Sequence, residues 1–268
     1  MAPVEIKLQA VEDKLNQLID IREGTSQGEE PLFEPCRIGN QILFLSYPSS
    51  RSGLSGAVRR MENDYYLTQM AIFRKGDTVV DVGAHVGVVS IYLARKYPFI
   101  NVYAIEPDPL NYACLKRNIE LNGVTNVTAI NKAVSGDGQK RTLYVNARES
   151  AWATIDVDMT SSQRALRTVQ VETVTLEQLF QEFDIRHCRL MKITAPGAIQ
   201  ESLKGFTRGG CVDLLCGEVD FGDCSRAKLE LVSWRIARQH FWRTIAGKQA
   251  ELFIHGYSTF DRDRPASR

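Results

Sequence analysis

The stretch Asp77-Thr78-Val79-Val80-Asp81-Val82-Gly83-Ala84-His85-Val86-Gly87 decides the fold of this chain. Its β-branched run ends in Asp81 and a glycine turn, and the apolar run that follows predicts a helix over Val88 to Lys96. A second strand-like run, Val102-Tyr103-Ala104-Ile105, ends in Glu106. A strand, a tight turn, a helix and a second strand that ends in an acid form the β-α-β unit typical of nucleotide binding. We therefore predict a ligand with a ribose at this turn.

The residues of the turn also narrow the choice of ligand. Gly83 and Gly87 let the backbone turn tightly and approach a ligand closely. Glu106, roughly twenty residues after the turn, can accept hydrogen bonds from two ribose hydroxyls. Dinucleotide sites read Gly-x-Gly-x-x-Gly, and the middle glycine admits a pyrophosphate, but His85 takes that position here. A bulky residue at that position favours a ligand without phosphates, so the turn suits S-adenosylmethionine better than NAD.

Composition limits the class of protein. The 268 residues are enough for one α/β domain with attachments, and 44% hydrophobic and 24% charged residues are typical of a soluble globular protein. No apolar run approaches the roughly 20 residues that span a bilayer, and the N-terminus lacks a signal-peptide pattern, so we expect a cytoplasmic protein without a membrane span. A net charge of +1 gives no general attraction to nucleic acid, which is therefore not expected as a partner.

The cysteines predict free thiols rather than a metal site. None of them forms a Cys-x-x-Cys pair or lies near a histidine at zinc spacing. The six are Cys36, Cys114, Cys188, Cys211, Cys216 and Cys224.

The chain divides into three predicted parts. Residues 1–24 contain an amphipathic helix with a seven-residue repeat, formed by Val4, Leu8, Val11, Leu15 and Leu18. A helix with so few heptads is only marginally stable by itself. It therefore either docks on its own domain or pairs with another subunit as an oligomerisation segment. Residues 25–61 are a linker and a strand-prone lead-in, and residues 62–268 are the main domain.

The main domain alternates helices and strands. The pattern predicts a mainly parallel sheet with an antiparallel C-terminal edge hairpin, which is a Rossmann-like α/β fold. The predicted order is helix 62–73, strand 78–82, helix 88–96, strand 101–106, helix 109–121, strand 126–130, a turn at 136–138 before segment 141–145, strand 168–173, helix 175–183, strand 188–193, helix 198–205, strand 211–219, helix 225–240 and a hairpin over 251–255 and 257–260.

With these motifs the chain resembles FkbM-type S-adenosylmethionine-dependent methyltransferases, a family of mostly O-methylating enzymes with the class I methyltransferase fold. The resemblance runs from about Glu62 to Phe260. Beside the two stretches quoted above, it rests on Ala133-Val134-Ser135 before Gly138, Thr175-Leu176-Glu177, Leu203-Lys204-Gly205 and Gly256-Tyr257. It implies S-adenosylmethionine as the cofactor and methylation of a hydroxyl on a sugar or small metabolite.

The resemblance also implies which residues bind the cofactor. The turn would hold its amino-acid part, Glu106 its ribose, and two later segments would flank its adenine, while Glu62 would close over it from the N-terminal side. His85 packing only within the loop, and Glu62 as an ordinary surface acid, are the competing interpretations. The full implied set is Glu62, Asp81, Gly83, Ala84, His85, Gly87, Glu106, Pro107, Asp108, Asn131 and Ala133.

The chain departs from the family at the fourth strand. Family members typically read Lys-Ile-Asp-Val-Glu-Gly there, whereas this chain reads Lys192-Ile193-Thr194-Ala195-Pro196-Gly197. Both acids are missing beside the transferred methyl, where an acceptor hydroxyl would be oriented or deprotonated. The Thr194 hydroxyl is not a base near neutral pH, which leaves Glu218, Asp220 and His85 as candidates.

Two alternative functions are compatible with the same fold and differ in the residues that they need. A catalytically silent cofactor-binding or scaffolding protein would keep the turn and use the N-terminal helix for assembly, and Thr194 with Pro196 favours it. A nucleic-acid base methyltransferase would need an Asn/Asp-Pro-Pro-aromatic motif after strand four, which the sequence lacks.

Overall fold

The computed structural model describes residues 31–48, 54–62, 71–146, 153–155, 166–194, 198–208, 211–220, 239–245 and 249–255. The helices are α1 (Leu54–Glu62), α2 (Val88–Lys96), α3 (Pro109–Leu121), α4 (Leu176–Glu182) and α5 (Ala198–Leu203). The strands are β1 (Leu32–Ile38), β2 (Gln41–Tyr47), β3 (Thr78–Val82), β4 (Asn101–Ile105), β5 (Val127–Ile130), β6 (Ala133–Val134), β7 (Arg141–Asn146), β8 (Ala153–Thr154), β9 (Leu166–Val171), β10 (Thr173–Val174), β11 (Cys188–Ile193), β12 (Val212–Asp220), β13 (Gln239–Ile245) and β14 (Gln249–His255).

A seven-stranded sheet forms the centre of the molecule. Its order is β13-β14-β12-β11-β3-β4-β5, and the five strands from β12 to β5 run parallel. The strand order reverses between β3 and β11, because the chain builds outward to β5 and then returns to the other side of β3. In open α/β sheets this reversal marks the ligand crevice at the carboxyl ends of the strands. The predicted Rossmann-like α/β fold is confirmed.

Both faces of the sheet are covered, which explains the uninterrupted apolar strands. Val79 and Leu190 pack with α2 and the β1-β2 hairpin, whereas Val80 and Met191 pack with α4 and α5 on the opposite face. Alternate residues of a strand point to opposite faces, so a strand covered on both sides reads as continuously apolar.

Two helices begin where their sequences predict. At α3, the Asp108 side chain accepts a hydrogen bond from Leu110 N at 3.2 Å, and Pro109 occupies the first turn. At α4, Thr175 and Gln178 form a capping box, with each side chain accepting from the other's backbone N–H. Both arrangements satisfy N–H groups that a helix start leaves open.

The lead-in forms a hairpin that joins the core of the main domain. Strands β1 and β2 are antiparallel, and their buried side chains belong to the same apolar cluster as β3 and α2. Two asparagines of α3 fix the hairpin in place. Asn118 contacts the backbone N and O of Ser46 at 2.6 and 2.9 Å, and Asn122 contacts those of Phe44 at 3.0 and 2.7 Å.

The structure describes only the two ends of the helix predicted over residues 62–73. Glu62 is the last residue of α1, and residues 71–73 are not helical. Helix α1 itself lies in the segment predicted as linker and lead-in. The serines and glycines around α1 indicate a loop, yet Leu54, Ala57, Val58 and Met61 form an apolar stripe at helical spacing. This stripe packs on the core and outweighs the local preference.

The C-terminal edge of the sheet has a hairpin, in which the predicted strand 251–255 belongs to β14 and pairs with the preceding strand. It consists of β13 and β14, with β14 antiparallel to β12. Gln239 and His240 therefore belong to a strand and not to the predicted helix 225–240, in agreement with the aromatic and β-branched residues of β13. Residues 257–260 and the N-terminal repeat lie outside the described residues. Over the described ranges, no helix is long and apolar enough to cross a membrane.

Candidate cofactor site

The glycine turn lies between the carboxyl ends of β3 and β4. The backbone N–H groups of Gly83 and Ala84 both donate to Ile105 O at 3.0 Å, so the turn is tied to the end of β4. Gly83, His85 and Gly87 have φ values of 75°, 55° and 91°. These left-handed values are easy for glycine and unusual for histidine.

Close packing makes the two glycines necessary. A Cβ at Gly83 would lie 2.1 Å from the backbone O of Thr194, at the end of β11. A Cβ at Gly87 would lie 2.5 Å from Leu115 Cδ1 of α3. The turn is therefore held between the fourth parallel strand, β11, and the helix after β4.

Helix α2 offers its N-terminus to a ligand at this turn. Its N-cap is Gly87, and no side chain caps the helix. The first N–H groups of a helix carry a partial positive charge that favours a carboxylate. The turn and this helix end together suit the carboxylate of an amino acid.

Glu106 follows β4 and is turned inward, with 4% of its surface exposed. Its Oε2 accepts from His85 N at 2.8 Å, and its Oε1 accepts from Asp108 N at 3.0 Å and Asn111 Nδ2 at 3.3 Å. Burial raises the pKa of Glu106 to about 7, although these hydrogen bonds act in the opposite direction. The carboxyl group is thus fixed beside the turn and sensitive to pH near neutrality.

Asp108 and the segment after β5 enclose Glu106. Asp108 is fully buried; its carboxylate caps α3 and pairs with Arg167 Nη2 at 2.6 Å. Asn131 is exposed and donates to Glu106 O at 2.8 Å and Pro107 O at 3.2 Å. Ala133 is buried in β6. The structure therefore gathers the residues implied to flank ribose and adenine, but Asp108 directs its carboxylate to protein groups.

Asp81 lies beneath the turn and bonds to the protein. Lys192 Nζ of β11 is 2.6 Å from Asp81 Oδ1 and donates to Gly83 O at 2.9 Å. Asp81 Oδ2 accepts from Ser90 Oγ of α2 at 2.6 Å. Sequence reasoning assigned Lys192 no role. The signal was present, since Lys192 follows Leu190 and Met191 in a strand that is covered on both faces.

The candidate catalytic residues are divided between two strand ends. Thr194 is half-buried next to Gly83, and its N–H donates to Val82 O at 3.0 Å. Glu218 and Asp220 belong to the last pairs that β12 forms with β14, opposite Glu251 and Gln249. Their catalytic roles stay predictions.

Glu62 is exposed at the end of α1. Its predicted role in closing over the cofactor also stays a prediction. Ala195, Pro196 and Gly197 lie outside the described residues.

The fold and the site define a Rossmann-like protein with a buried acid beside a glycine turn at the carboxyl ends of the strands. A family model described as the TRM5/TYW2 methyltransferase domain matches residues 62–173. This range contains the glycine turn, Glu106 and the segment after β5. S-adenosylmethionine is the cofactor that this match supports for the site.

Curated relatives and solved structures also include methyltransferases. Methyltransferase 1 of Beauveria bassiana is 25% identical over 151 residues, which cover 51% of this chain and 61% of that protein. The 31-O-demethyl-FK506 methyltransferase FkbM of Streptomyces tacrolimicus is 38% identical over 53 residues, 20% of either chain. The structure of Trm5b of Pyrococcus abyssi aligns with a TM-score of 0.46 at 17% identity. The alignment covers 85% of this chain and 56% of the Trm5b chain. The chain thus spans less than two thirds of these relatives.

Proposed function

We propose that this protein is an S-adenosylmethionine-dependent methyltransferase whose acceptor is a hydroxyl of a sugar or small metabolite. The observation that carries the proposal is the Glu106 carboxyl group, held between His85 N and Asp108 N beside the glycine turn. A nucleoside-binding acid at the end of the second strand is expected for such a cofactor. The methyltransferase match over residues 62–173 covers the same residues.

The residues present fit the cofactor by their chemistry. The turn from Gly83 to Gly87 and the N-terminus of α2 would hold its amino-acid part, and Glu106 would accept from its ribose hydroxyls. When bound, S-adenosylmethionine supplies a methyl group already activated by the sulfonium charge. The protein must therefore mainly orient the acceptor and exclude water.

A hydroxyl acceptor also needs a group to receive its proton. Thr194 can orient a hydroxyl by hydrogen bonding but does not accept a proton near neutral pH. We assign the role of base to Glu218 or Asp220 at the carboxyl end of β12, two parallel strands from the glycine turn. General-base catalysis is worth about 100- to 10,000-fold in rate.

RNA is the second candidate acceptor. The family model that matches residues 62–173 is the TRM5/TYW2 methyltransferase domain, which suggests an RNA-modifying role. The hydroxyl acceptor is favoured by the partial match to the FkbM methyltransferase and by a net charge of +1, which gives little general attraction to a polyanion.

Calorimetry with S-adenosylmethionine tests the cofactor. We expect binding by the parent protein, a loss of roughly 1.5–3 kcal/mol for Glu106→Ala, and no change for Glu120→Ala on the exposed side of α3. Tighter binding of NAD than of S-adenosylmethionine would refute the assignment.

Labelled methyl transfer to fractionated cell extract tests the acceptor. Label in small molecules or saccharides supports the proposal, and label in the RNA fraction supports the second candidate. Loss of transfer in Glu218→Gln or Asp220→Asn would identify the base. Cofactor binding without transfer to any fraction would instead indicate the catalytically silent protein.

A further inference from the structure

Burying the charged side chain of Lys192 has a high desolvation cost. Its side chain is 4% exposed and that of Asp81 is 0% exposed. A buried ion pair gains little net stability over apolar side chains of similar volume, because both charges must leave water. The role of the Lys192–Asp81 pair is therefore to be found in the groups that it holds in place.

The ammonium group of Lys192 connects three parts of the site. It contacts the Asp81 carboxylate in β3 and the Gly83 carbonyl in the turn, while Asp81 accepts from Ser90 in the first turn of α2. The end of the strand, the turn and the helix start are thus linked to β11 through one cation. These are the elements that would receive the amino-acid part of the cofactor.

We propose that Lys192 is a positioning residue, which holds the glycine turn in the conformation that binds the cofactor. The proposal rests on the proposed function for the identity of the ligand. Without the ammonium group, Gly83 O and Asp81 lose a shared donor, and the turn gains freedom to leave the left-handed geometry at Gly83. Cofactor binding would then have to restore that geometry.

The chain offers a matched control at the other end of the same strand. Arg189 of β11 is a partly buried cation that pairs with a buried acid preceding β3, at 3.2 Å between Arg189 Nε and Asp77 Oδ2. Its Nη1 lies 2.5 Å from Asp213 Oδ2 of β12. Arg189→Met therefore removes a cation paired with buried acids far from the turn.

The experiment compares Lys192→Met, Lys192→Arg, Arg189→Met and the double variant Lys192→Met with Asp81→Asn. Hydrogen exchange by mass spectrometry reports on peptides covering residues 83–87, and calorimetry reports Kd for S-adenosylmethionine. We expect Lys192→Met to speed exchange in the turn and weaken binding about tenfold or more. Arg189→Met should lower Tm similarly and change Kd less than about twofold.

The double variant separates positioning from stability. The Asp81→Asn change removes the unpaired buried charge, so Tm should recover toward the parent, while Kd and turn exchange should not. Recovery of Kd together with Tm, or unchanged turn exchange in Lys192→Met, would overturn the proposal. If Lys192→Met fails to fold, Lys192→Arg decides: altered turn exchange at unchanged Tm supports positioning, and exchange like the parent overturns it. A parent protein that binds no S-adenosylmethionine refutes the proposed function, while the exchange result still tests Lys192.

Discussion

The central strands β3 and β11 carry a buried charge cluster at each end, and the two clusters differ in what they hold. At the amino end, Arg189 lies between Asp77 and Asp213, and His187 Nε2 is 3.0 Å from Asp213 Oδ1. At the carboxyl end, Lys192 pairs with Asp81 and also donates to a turn carbonyl. Both clusters are almost closed to solvent.

The difference shows how one kind of interaction can serve two purposes. The amino-end cluster ties neighbouring strands together, since its members belong to or precede β3, β11 and β12. The carboxyl-end cluster connects a strand to a turn and a helix start. Ligands bind at the carboxyl ends in this class of sheet, which agrees with this division.

The largest effect is expected from a pair of glycine variants, one at each end of β3. Gly76 and Gly83 have φ values of 84° and 75°, but a Cβ at Gly76 meets nothing within 4 Å, whereas one at Gly83 meets Thr194 O at 2.1 Å. Gly76→Ala should lower the free energy of unfolding by about 1 kcal/mol through backbone strain alone. Gly83→Ala should lower it by about 3 kcal/mol or more and abolish cofactor binding.

Urea denaturation and calorimetry measure both quantities. Equal losses of stability in the two variants would show that the contact with Thr194 relaxes easily. Retained cofactor binding in Gly83→Ala would separate the turn geometry from ligand recognition.

A pH-dependent effect is expected at the carboxyl end from Glu106. Its pKa is raised from 4.5 to about 7 in the folded protein, so folding favours the protonated form. The contribution to stability is full below about pH 4.5 and is lost as the pH rises through about 7. At about 1.4 kcal/mol per pH unit, the loss is on the order of 3 kcal/mol across this window.

The pH dependence of this contribution is measured as the difference in unfolding free energy between the parent and Glu106→Gln from pH 4 to pH 8. The variant has no group titrating at this position, so a constant offset between the proteins does not matter. A difference that stays flat with pH would contradict the raised pKa. Cofactor affinity should rise from pH 6 to pH 8, because the ionised carboxylate is the better acceptor for ribose hydroxyls.

The smallest effect is expected at the amino end from His187→Gln. Glutamine keeps a donor that can reach Asp213, so the free energy of unfolding should fall by about 1 kcal/mol or less. The Kd for S-adenosylmethionine should equal that of the parent, since the change is confined to the strand-joining cluster. A shift in Kd beyond about twofold would show that the two ends are coupled through β11.

Sequence patterns predicted the position of the turn and of Glu106 beside it, because both obey local rules. A glycine with positive φ and an acid after an apolar strand leave clear marks at fixed spacing. The ion pair of Asp81 with Lys192 did not follow from the pattern, because the two residues are 111 positions apart. Only the pairing of β3 with β11 brings the two residues together.

Helix α1 and the start of β13 were not predicted, because tertiary packing decides both. Helix α1 has small residues that indicate a loop, and its helical stripe becomes stable only when it packs on the core. At the C-terminal edge, sequence analysis predicted a hairpin but assigned Gln239 and His240, the first two residues of β13, to a helix. Strand pairing with β14 decides that position, because strand preference depends on cross-strand neighbours more than on the residue itself.

The asparagines of α3 have a consequence for association between chains. A strand at the edge of a sheet offers unpaired backbone groups on which another chain can add a strand. Asn118 and Asn122 occupy the outer backbone groups of β2 at Ser46 and Phe44, and a helix cannot extend a sheet. On the other side, Pro35 pairs with Phe44 in register, so position 35 of β1 faces outward and has no N–H to offer. A further strand would therefore meet side-chain amides along β2 and lose one backbone hydrogen bond at Pro35 on β1.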